Sequence, residues 1–197
     1  VLERHESLRT VFPDSPDGPH QVVKSAAAAA LDLTPVEVTE QESVGLVTEL
    51  LSAGFDVTAA PPVRTRLLQL SPTDHILVLV VHHISADGMS MAPLARDVMV
   101  AYLARSGGEA PQWQPLPVQY ADFAIWQRAL LGSEDDPASL AAQQLDYWSR
   151  TLAGLPDALD LPTDRPRPAE QSMVGGRLDF TLDDDIRRGI HDLAAAH

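Results

Sequence analysis

Two adjacent histidines, His82 and His83, lie shortly before the pair Asp87 and Gly88 in the stretch VHHISADGMS. An imidazole with an ordinary pKa of about 6.5 can accept or donate a proton near neutral pH, so this pair has the chemistry of an acid–base catalyst. Neighbouring residues of a strand point to opposite faces, so we expect one histidine to face a reaction cavity and the other to face the packed layer. The alternative role for each ring is hydrogen-bonded scaffold, which is the more common role of a single histidine at a strand end.

The same alternation disfavours a metal site, because two ligands on opposite faces cannot reach one ion. The sequence has no cysteine and no HExxH motif that could supply further ligands. A serine hydrolase is also disfavoured, since the chain has no G-x-S-x-G motif and neither Ser85 nor Ser90 has a strained turn of its own. The remaining chemistry is a histidine that acts as a general base or positions a reactant.

Asp87 and Gly88 complete the candidate site. Asp87 is too close to the histidines in sequence to need a separate proton-transfer role, so we expect it to fix the loop through an Asx-type hydrogen bond or an ion pair. Gly88 is placed at the entry to the following helix, where a backbone N–H lies at the positive end of the helix dipole. Such an N–H is suited to stabilising a developing oxyanion.

Hydrophobic patterning places this loop between a strand and a helix. The segments Val63–Leu70 and His75–Val81 predict a hairpin joined by the short turn SPTD. The second strand is apolar on both faces, so we expect it at the centre of its sheet. The period then changes to that of a helix, which ends at Gly107 and carries an apolar face of Leu94, Val98, Ala101 and Tyr102.

Other stretches predict the elements around the hairpin. Residues Val1–Glu6 predict the last turn of a helix whose start is missing, and the following LRTVF predicts a short strand. A capping box of Thr39 with Glu42 begins an amphipathic helix that stops at Gly54 and is expected to pack on a sheet. Two helices with aromatic residues at helical spacing are predicted further on, YADFAIWQRALL from Tyr120 and PASLAAQQLDYWSRTLAG from Pro137.

A change in composition marks the domain organisation. The proline-rich, charged segment 155–174 has no period and predicts a linker. A strand over Gly175–Leu182 and a helix after it are predicted to follow. We therefore predict one lobe over residues 1–174, truncated at its start and including the linker, with a boundary near Gly175 and residues 175–197 leading into a second lobe.

Charge and composition exclude several classes of partner. The chain has 14 Lys plus Arg against 28 Asp plus Glu, a formal charge of −14, and no basic block, which disfavours nucleic acid and membrane surfaces. No apolar run approaches the roughly 20 residues that span a bilayer, and the first residues lack the pattern of a signal peptide. The absence of cysteine favours the cytoplasm, and 45% hydrophobic residues can form a core.

Three motifs in order resemble those of one family. HHISADG matches the HHxxxDG motif of the condensation domains of nonribosomal peptide synthetases. RHESLRTVF, over Arg4–Phe12, and YADFAIWQ, over Tyr120–Gln127, are similar to two further motifs of that family. HHxxxDG also occurs in epimerization domains and other acyltransferases, but the flanking patterns favour condensation. The resemblance covers almost the whole chain.

The resemblance implies an α/β fold, a two-layer sandwich of helices on a mixed sheet that forms the N-terminal lobe of a chloramphenicol acetyltransferase-like enzyme. It implies amide bond formation between an upstream carrier-bound peptidyl or aminoacyl thioester and the amine of a downstream aminoacyl thioester. No cofactor is expected to bind directly, because substrates arrive on 4'-phosphopantetheine arms. The implied partners are two peptidyl carrier proteins and neighbouring adenylation and epimerization domains.

The resemblance also assigns roles to residues. His83 is the expected catalytic residue, either as a base or as a group that holds the amine, while Gly88 supplies the N–H for the oxyanion. His82 and Asp87 are expected to maintain the loop. The resemblance suggests that Asp87 pairs with an arginine of the RHESLRTVF stretch, either Arg4 or Arg9.

Within the family, the sequence is most similar to the subtype that accepts a D-configured donor. The grounds are HHISADGMSMAPLARD, with Met91, Pro93 and Leu94, and the acidic insertion GSEDDP. Met89 departs from the family, which commonly has tryptophan there, and this alters the expected shape of the local pocket. A role as a non-catalytic carrier-binding or scaffold module is the alternative of a different class, and the expected lack of a second lobe favours it.

Overall fold

The chain is described here by a computed structural model, which describes residues 1–159, 161–170, 172, 176 and 178–196. The chain divides into two compact units, Val1–Thr151 and Leu152–His197. The domain boundary predicted near Gly175 lies at a residue outside the described ones and stays a prediction. None of the described helices is both long enough and apolar enough to cross a membrane.

The elements of the first unit follow the hydrophobic patterns of the sequence in most places. A 3-10 helix precedes the strands and helices of this unit and covers Glu6–Arg9. In chain order these are β1 Thr10–Val11, β2 Val22–Val23, β3 Pro35–Glu37, α1 Glu40–Ser52, β4 Val63–Gln69, β5 His75–Val81, α2 Gly88–Ser106, α3 Tyr120–Leu131 and α4 Leu140–Thr151.

A mixed three-stranded sheet, in the order β3-β4-β5, carries the first unit. β4 and β5 form the predicted hairpin, with Val63 opposite Val81, and β3 runs parallel to β4 on its other side. The prediction that β5 is central is wrong for the described residues, where β4 is central and β5 lies at the edge. β5 contains no fully buried residue, and Ile76 and Leu77 are 37% and 45% exposed, so its continuous apolar run does not mark a central strand.

Each face of the sheet is covered by a helix. On one face, Val63 of β4 and Leu94 of α2 belong to the same buried cluster, with Val98 packed against it. On the opposite face, Leu68 is only 1% exposed, and Leu68 and Leu50 of α1 line the same small cavity. The predicted α/β class, with helices packed on a mixed sheet, is confirmed.

The predicted capping box of α1 is present. Thr39 Oγ1 accepts a hydrogen bond from the Glu42 N–H at 3.2 Å, and the Glu42 carboxylate accepts one from the Thr39 N–H at 2.8 Å. The helix ends at Ser52, shortly before the predicted stop at Gly54. Two of the four unpaired N–H groups at the start of a helix are commonly satisfied in this way.

The N-terminal segment differs from its prediction. LRTVF was expected to be a strand, but only Thr10 and Val11 pair with another strand, and the residues before them form the 3-10 helix. The Thr10 hydroxyl donates to the Glu6 carbonyl at 2.8 Å, which turns the backbone back on itself. The predicted helical turn before it is present, since the N–H groups of Arg4 and His5 both donate to the Val1 carbonyl.

The second unit contains α5, Asp184–Ala196, as the sequence predicts. The strand predicted over Gly175–Leu182 is not formed by the described residues of that stretch, while Gly175 and Arg177 lie outside the described residues. A strand requires a partner for its backbone hydrogen bonds, and no described strand pairs with this stretch.

Candidate functional site

The histidine loop, defined here as residues 82–87, connects the end of β5 at Val81 to the start of α2 at Gly88. This is the strand-to-helix turn that the sequence predicts. The His82 N–H donates to the Pro62 carbonyl at 2.8 Å, which extends the β4–β5 pairing by one residue. The backbone of the first histidine is therefore fixed to the sheet.

The His82 side chain is held on two sides. Its Nδ1 accepts a hydrogen bond from the Ile84 N–H at 3.0 Å. Its ring also meets the ring of Phe55 in a T-shaped contact, with 5.6 Å between the centroids and 78° between the planes. Because Nδ1 is the acceptor, the ring proton of His82 lies on Nε2 in this arrangement.

His83 has the opposite environment. Its side chain is exposed and forms no hydrogen bond with any residue in the described part of the chain. One ring is thus engaged with the packed unit while its neighbour is accessible, which is the division that strand alternation favours. The catalytic role of His83 stays a prediction.

Asp87 caps the helix that follows it. Its Oδ1 accepts hydrogen bonds from the Ser90 N–H at 2.9 Å and the Ser90 hydroxyl at 2.6 Å, and the Asp87 N–H donates to Ser90 Oγ at 3.1 Å. The hydrogen bonds from the Ser90 hydroxyl and N–H lower the pKa of the Asp87 carboxyl. Of the two expected ways of fixing the loop, the structure contains the hydrogen-bonded cap.

The expected ion pair between Asp87 and Arg4 or Arg9 is not formed in the described part of the structure. Among the described residues, Arg4 pairs with Asp97 and Arg9 pairs with Glu6, and neither contacts Asp87. The reason is geometric: Asp87 lies at the exposed start of α2, whereas Asp97 lies on the buried face of the same helix, close to the N-terminal segment.

Asp97 is a site residue that the sequence reasoning missed. It is 2% exposed, and its Oδ2 accepts from Arg4 Nε at 2.8 Å and lies 2.9 Å from His5 Nε2. Burial opposes its ionisation, but hydrogen bonds from Arg4, His5 and Arg96 outweigh burial and lower the pKa of the carboxyl. Its place three residues after Leu94, on the apolar face of α2, was the available signal for a buried, paired carboxylate.

Gln119, the residue before α3, joins the same cluster. Its Nε2 donates to the Arg4 carbonyl at 2.9 Å, and its Oε1 accepts from the Glu6 N–H at 3.3 Å. Arg4 also lies over the Trp113 ring, with Cζ 5.3 Å from the centroid. The RHESLRTVF stretch, α2 and the start of α3 are therefore connected by direct contacts.

Gly88 is the first residue of α2 and is exposed. A β-carbon added there would meet nothing within 4 Å, so packing does not explain the glycine, and the backbone can be approached closely. Its role toward an oxyanion stays a prediction. The described residues contain no group of three potential metal ligands, and neither Ser85 nor Ser90 hydrogen-bonds to an imidazole.

The family model described as the condensation domain matches residues 1–197. This chain belongs to the condensation-domain family. The resemblance inferred from the three motifs is thereby confirmed at the level of the family.

Individual relatives of this condensation-domain sequence are synthetases and their parts. The dimodular nonribosomal peptide synthase of Bacillus subtilis is 45% identical over 194 residues, which are 98% of this chain and 8% of that synthase. The isonitrile lipopeptide synthase of Mycobacterium tuberculosis is 42% identical over 200 residues, 100% of this chain and 8% of that protein. The chain thus spans a small part of these relatives.

A solved structure agrees with the fold. The crystal structure of the X-domain from teicoplanin biosynthesis has a TM-score of 0.77 and 42% identity, and the match covers 85% of this chain and 37% of that chain. A further structure contains the same X-domain in complex with OxyB, with a TM-score of 0.79. The family and the fold of this condensation-domain chain are therefore consistent with each other.

Proposed function

We propose that this chain forms part of a nonribosomal peptide synthetase condensation domain that makes amide bonds between two carrier-bound substrates. The observation that carries the proposal is the histidine loop, in which His82 is fixed by hydrogen bonds and His83 is exposed at its side. Membership of the condensation-domain family supports the reaction class.

In the proposed reaction, the acceptor amine nitrogen attacks the carbonyl carbon of the donor thioester. A C–N bond forms, the C–S bond breaks, and the donor arm leaves as a thiol that carries the proton lost by the amine. An α-amine with a pKa of about 7.7–8.0 is largely protonated at neutral pH, and the tetrahedral intermediate must release a proton. His83 serves either as the base for this proton or as the group that holds the amine in line.

The remaining loop residues support that role. Asp87 and Ser90 fix the start of α2, so that Gly88 is held at the positive end of the helix dipole. A backbone N–H in this place suits the oxyanion of the intermediate. His82 maintains the conformation of the loop through its contacts with Pro62, Ile84 and Phe55.

The finer parts of the proposal concern partners and substrates. We place peptidyl carrier proteins upstream and downstream of the domain, with adenylation and epimerization domains as neighbours. Substrates reach His83 on 4'-phosphopantetheine arms and no cofactor binds directly. We assign the donor the D configuration on the resemblance of HHISADGMSMAPLARD to the subtype that accepts D-configured donors. Of the residues that carry this resemblance, Met91 and Pro93 lie exposed in the first turns of α2.

The reaction is tested in the complete condensation domain that contains this chain, with both carriers loaded and the product thioester measured by mass spectrometry. The proposal expects dipeptidyl thioester on the downstream carrier. Loading the donor carrier with D- and L-configured residues at matched levels then tests the subtype. A strong preference for the L donor would reject the subtype, and absence of product with either donor would reject the reaction.

A scaffold function is the second candidate. The observation that favours it is the 42% identity to the X-domain that was solved in complex with OxyB. If this chain served as a scaffold in this way, loaded carriers would bind to the complete domain and no amide product would form. The product assay above therefore separates the two candidates.

A further inference from the structure

The ring of His82 rests on a second aromatic ring that no motif includes. Phe55 lies in the connection between α1 and β4, and its ring forms the T-shaped contact with His82 described above. Such edge-to-face contacts are favourable and fix the relative orientation of two rings. Phe55 therefore limits the orientations that the imidazole can adopt.

Arg64 also contacts the Phe55 ring. Its Cζ lies 4.0 Å from the centroid of the Phe55 ring, a close cation–π contact. Its guanidinium also donates to the carbonyls at the end of α1, at 3.2 Å, 3.0 Å and 2.6 Å to Leu50, Ala53 and Gly54. These carbonyls have no partner within the helix, so the arginine both caps α1 and is immobilised by it.

The strand register places these groups on one face of the sheet. Arg64 lies opposite Val80, and the His82 N–H pairs with Pro62, two residues before Arg64. Residues two apart on a strand share a face, so the side chains of Arg64, Val80 and His82 lie on the same face of the sheet. The stack of Arg64, Phe55 and His82 thus lies on the face that α1 covers.

The hydrogen bond of the His82 ring spans the proposed catalytic residue His83. Nδ1 of His82 accepts from the N–H of Ile84, so the ring closes a turn with His83 at its centre. The Ser85 N–H also donates to the His82 carbonyl at 3.0 Å, so the turn is closed by the backbone as well as by the ring. Rotation of the His82 ring would break the bond to Ile84 and remove one of the two hydrogen bonds that close the turn around His83. A catalytic group must be held in its productive geometry, and small displacements lower the rate strongly.

We propose that Phe55 and Arg64 are positioning residues of the condensation site, acting through the orientation and tautomer of His82 on the backbone of His83. This inference rests on the proposed function, which assigns the catalytic role to His83. Neither Phe55 nor Arg64 touches a reacting atom in this account. Both residues lie outside the three motifs that carry the family resemblance.

The test uses the complete condensation domain with loaded carriers and compares Phe55→Leu with Phe55→Tyr. Leucine keeps an apolar side chain of similar size but lacks the ring edge, whereas tyrosine keeps the ring. We expect Phe55→Leu to lower the single-turnover rate roughly 10- to 100-fold, with an unchanged KM for the donor carrier, and Phe55→Tyr to restore the rate. The ¹⁵N NMR signals of His82 should change from one tautomer to a mixture in Phe55→Leu and stay unchanged in Phe55→Tyr.

Arg64→Lys provides a second variant, because lysine keeps the charge but loses the planar fork. Its matched control is Arg66→Lys, two residues along the same strand. Among the described residues, the Arg66 side chain donates one hydrogen bond, to the Thr65 carbonyl. We expect the rate and the His82 signals to change in Arg64→Lys and to stay at the wild-type values in Arg66→Lys. Melting curves of every variant identify any that fail to fold.

An unchanged rate in folded Phe55→Leu, or a lowered rate with unchanged His82 signals, would overturn the inference. Failure of the proposed function gives a different result. In that case wild type forms no amide product, or His83→Ala keeps the wild-type rate, while the His82 signals still respond to Phe55→Leu.

Discussion

Arg4 Nε lies 2.8 Å from the Oδ2 atom of Asp97, a carboxylate that is only 2% exposed. This pair fastens the RHESLRTVF stretch to the middle of α2, ten residues away from the Asp87 that the family resemblance suggested. The N-terminal stretch and Asp87 are therefore connected through α2. It does not contact the loop carboxylate.

Asp97→Ala should destabilise the complete condensation domain by about 3–5 kcal/mol, since it leaves the Arg4 guanidinium, whose side chain is only 13% exposed, without its carboxylate. Urea unfolding followed by circular dichroism measures this change. The matched control is Asp146→Ala, which removes an exposed carboxylate paired with Arg150 one helical turn away on α4. The control should cost only about 0.5 kcal/mol. Equal effects of the two substitutions would contradict the buried pair.

Double-mutant cycles should distinguish the two assignments of the arginines. The cycle of Arg4→Ala with Asp97→Ala is expected to show a coupling free energy of about 1–3 kcal/mol, because the two side chains are in direct contact. The cycle of Arg9→Ala with Asp87→Ala should show additivity within about 0.5 kcal/mol. Coupling in the second cycle and additivity in the first would restore the expected Asp87 ion pair.

Low pH should lower the stability of the domain, because the Asp97 carboxylate becomes protonated. The pKa of this carboxyl is lowered in the folded state, so the unfolded state, with a pKa of about 3.9, binds the proton first as the pH falls. The stabilisation is complete well above pH 4 and is lost as the pH falls through the folded pKa. The stability difference between wild type and Asp97→Asn should therefore shrink below about pH 4. Urea titrations from pH 7 to pH 3 measure it, and a constant difference would argue against the lowered pKa.

Asp87 should be replaceable by another capping residue. Asp87→Ala removes the hydrogen bonds to Ser90 and should lower the melting temperature slightly, while Asp87→Ser, whose hydroxyl can accept from the same N–H, should recover most of the loss. Activity is expected to follow the same order, because the cap places Gly88 and the start of α2. Wild-type stability together with lost activity in Asp87→Ser would favour a direct catalytic role for the carboxylate.

The sequence predicts local elements well where the signals are local. The hairpin, the α1 capping box and the glycine after α2 depend on residues close in the chain, and the structure contains all of them. The order of strands depends on β3, a segment of three residues with little pattern, so β5 was wrongly placed at the centre. The partner of Arg4 could not be found from spacing alone, because it lies 93 residues away.

The residues of the site also divide into those with a local sequence signal and those without one. The motif named His82, His83, Asp87 and Gly88, and the structure places them in one connection between β5 and α2. Phe55 and Arg64 lie in no motif; in the folded chain Phe55 contacts His82 and Arg64 contacts Phe55. Side chains that act through packing therefore require the tertiary structure to be found.

The central claim is that the exposed His83 carries the amide-forming step. The most direct measurement is the single-turnover rate of dipeptidyl thioester formation in the complete condensation domain, compared for wild type, His83→Ala and the control His20→Ala in an exposed loop. We predict a loss of roughly 10²- to 10⁴-fold for His83→Ala, without a lower melting temperature, and a wild-type rate for His20→Ala. A wild-type rate for folded His83→Ala would contradict the account.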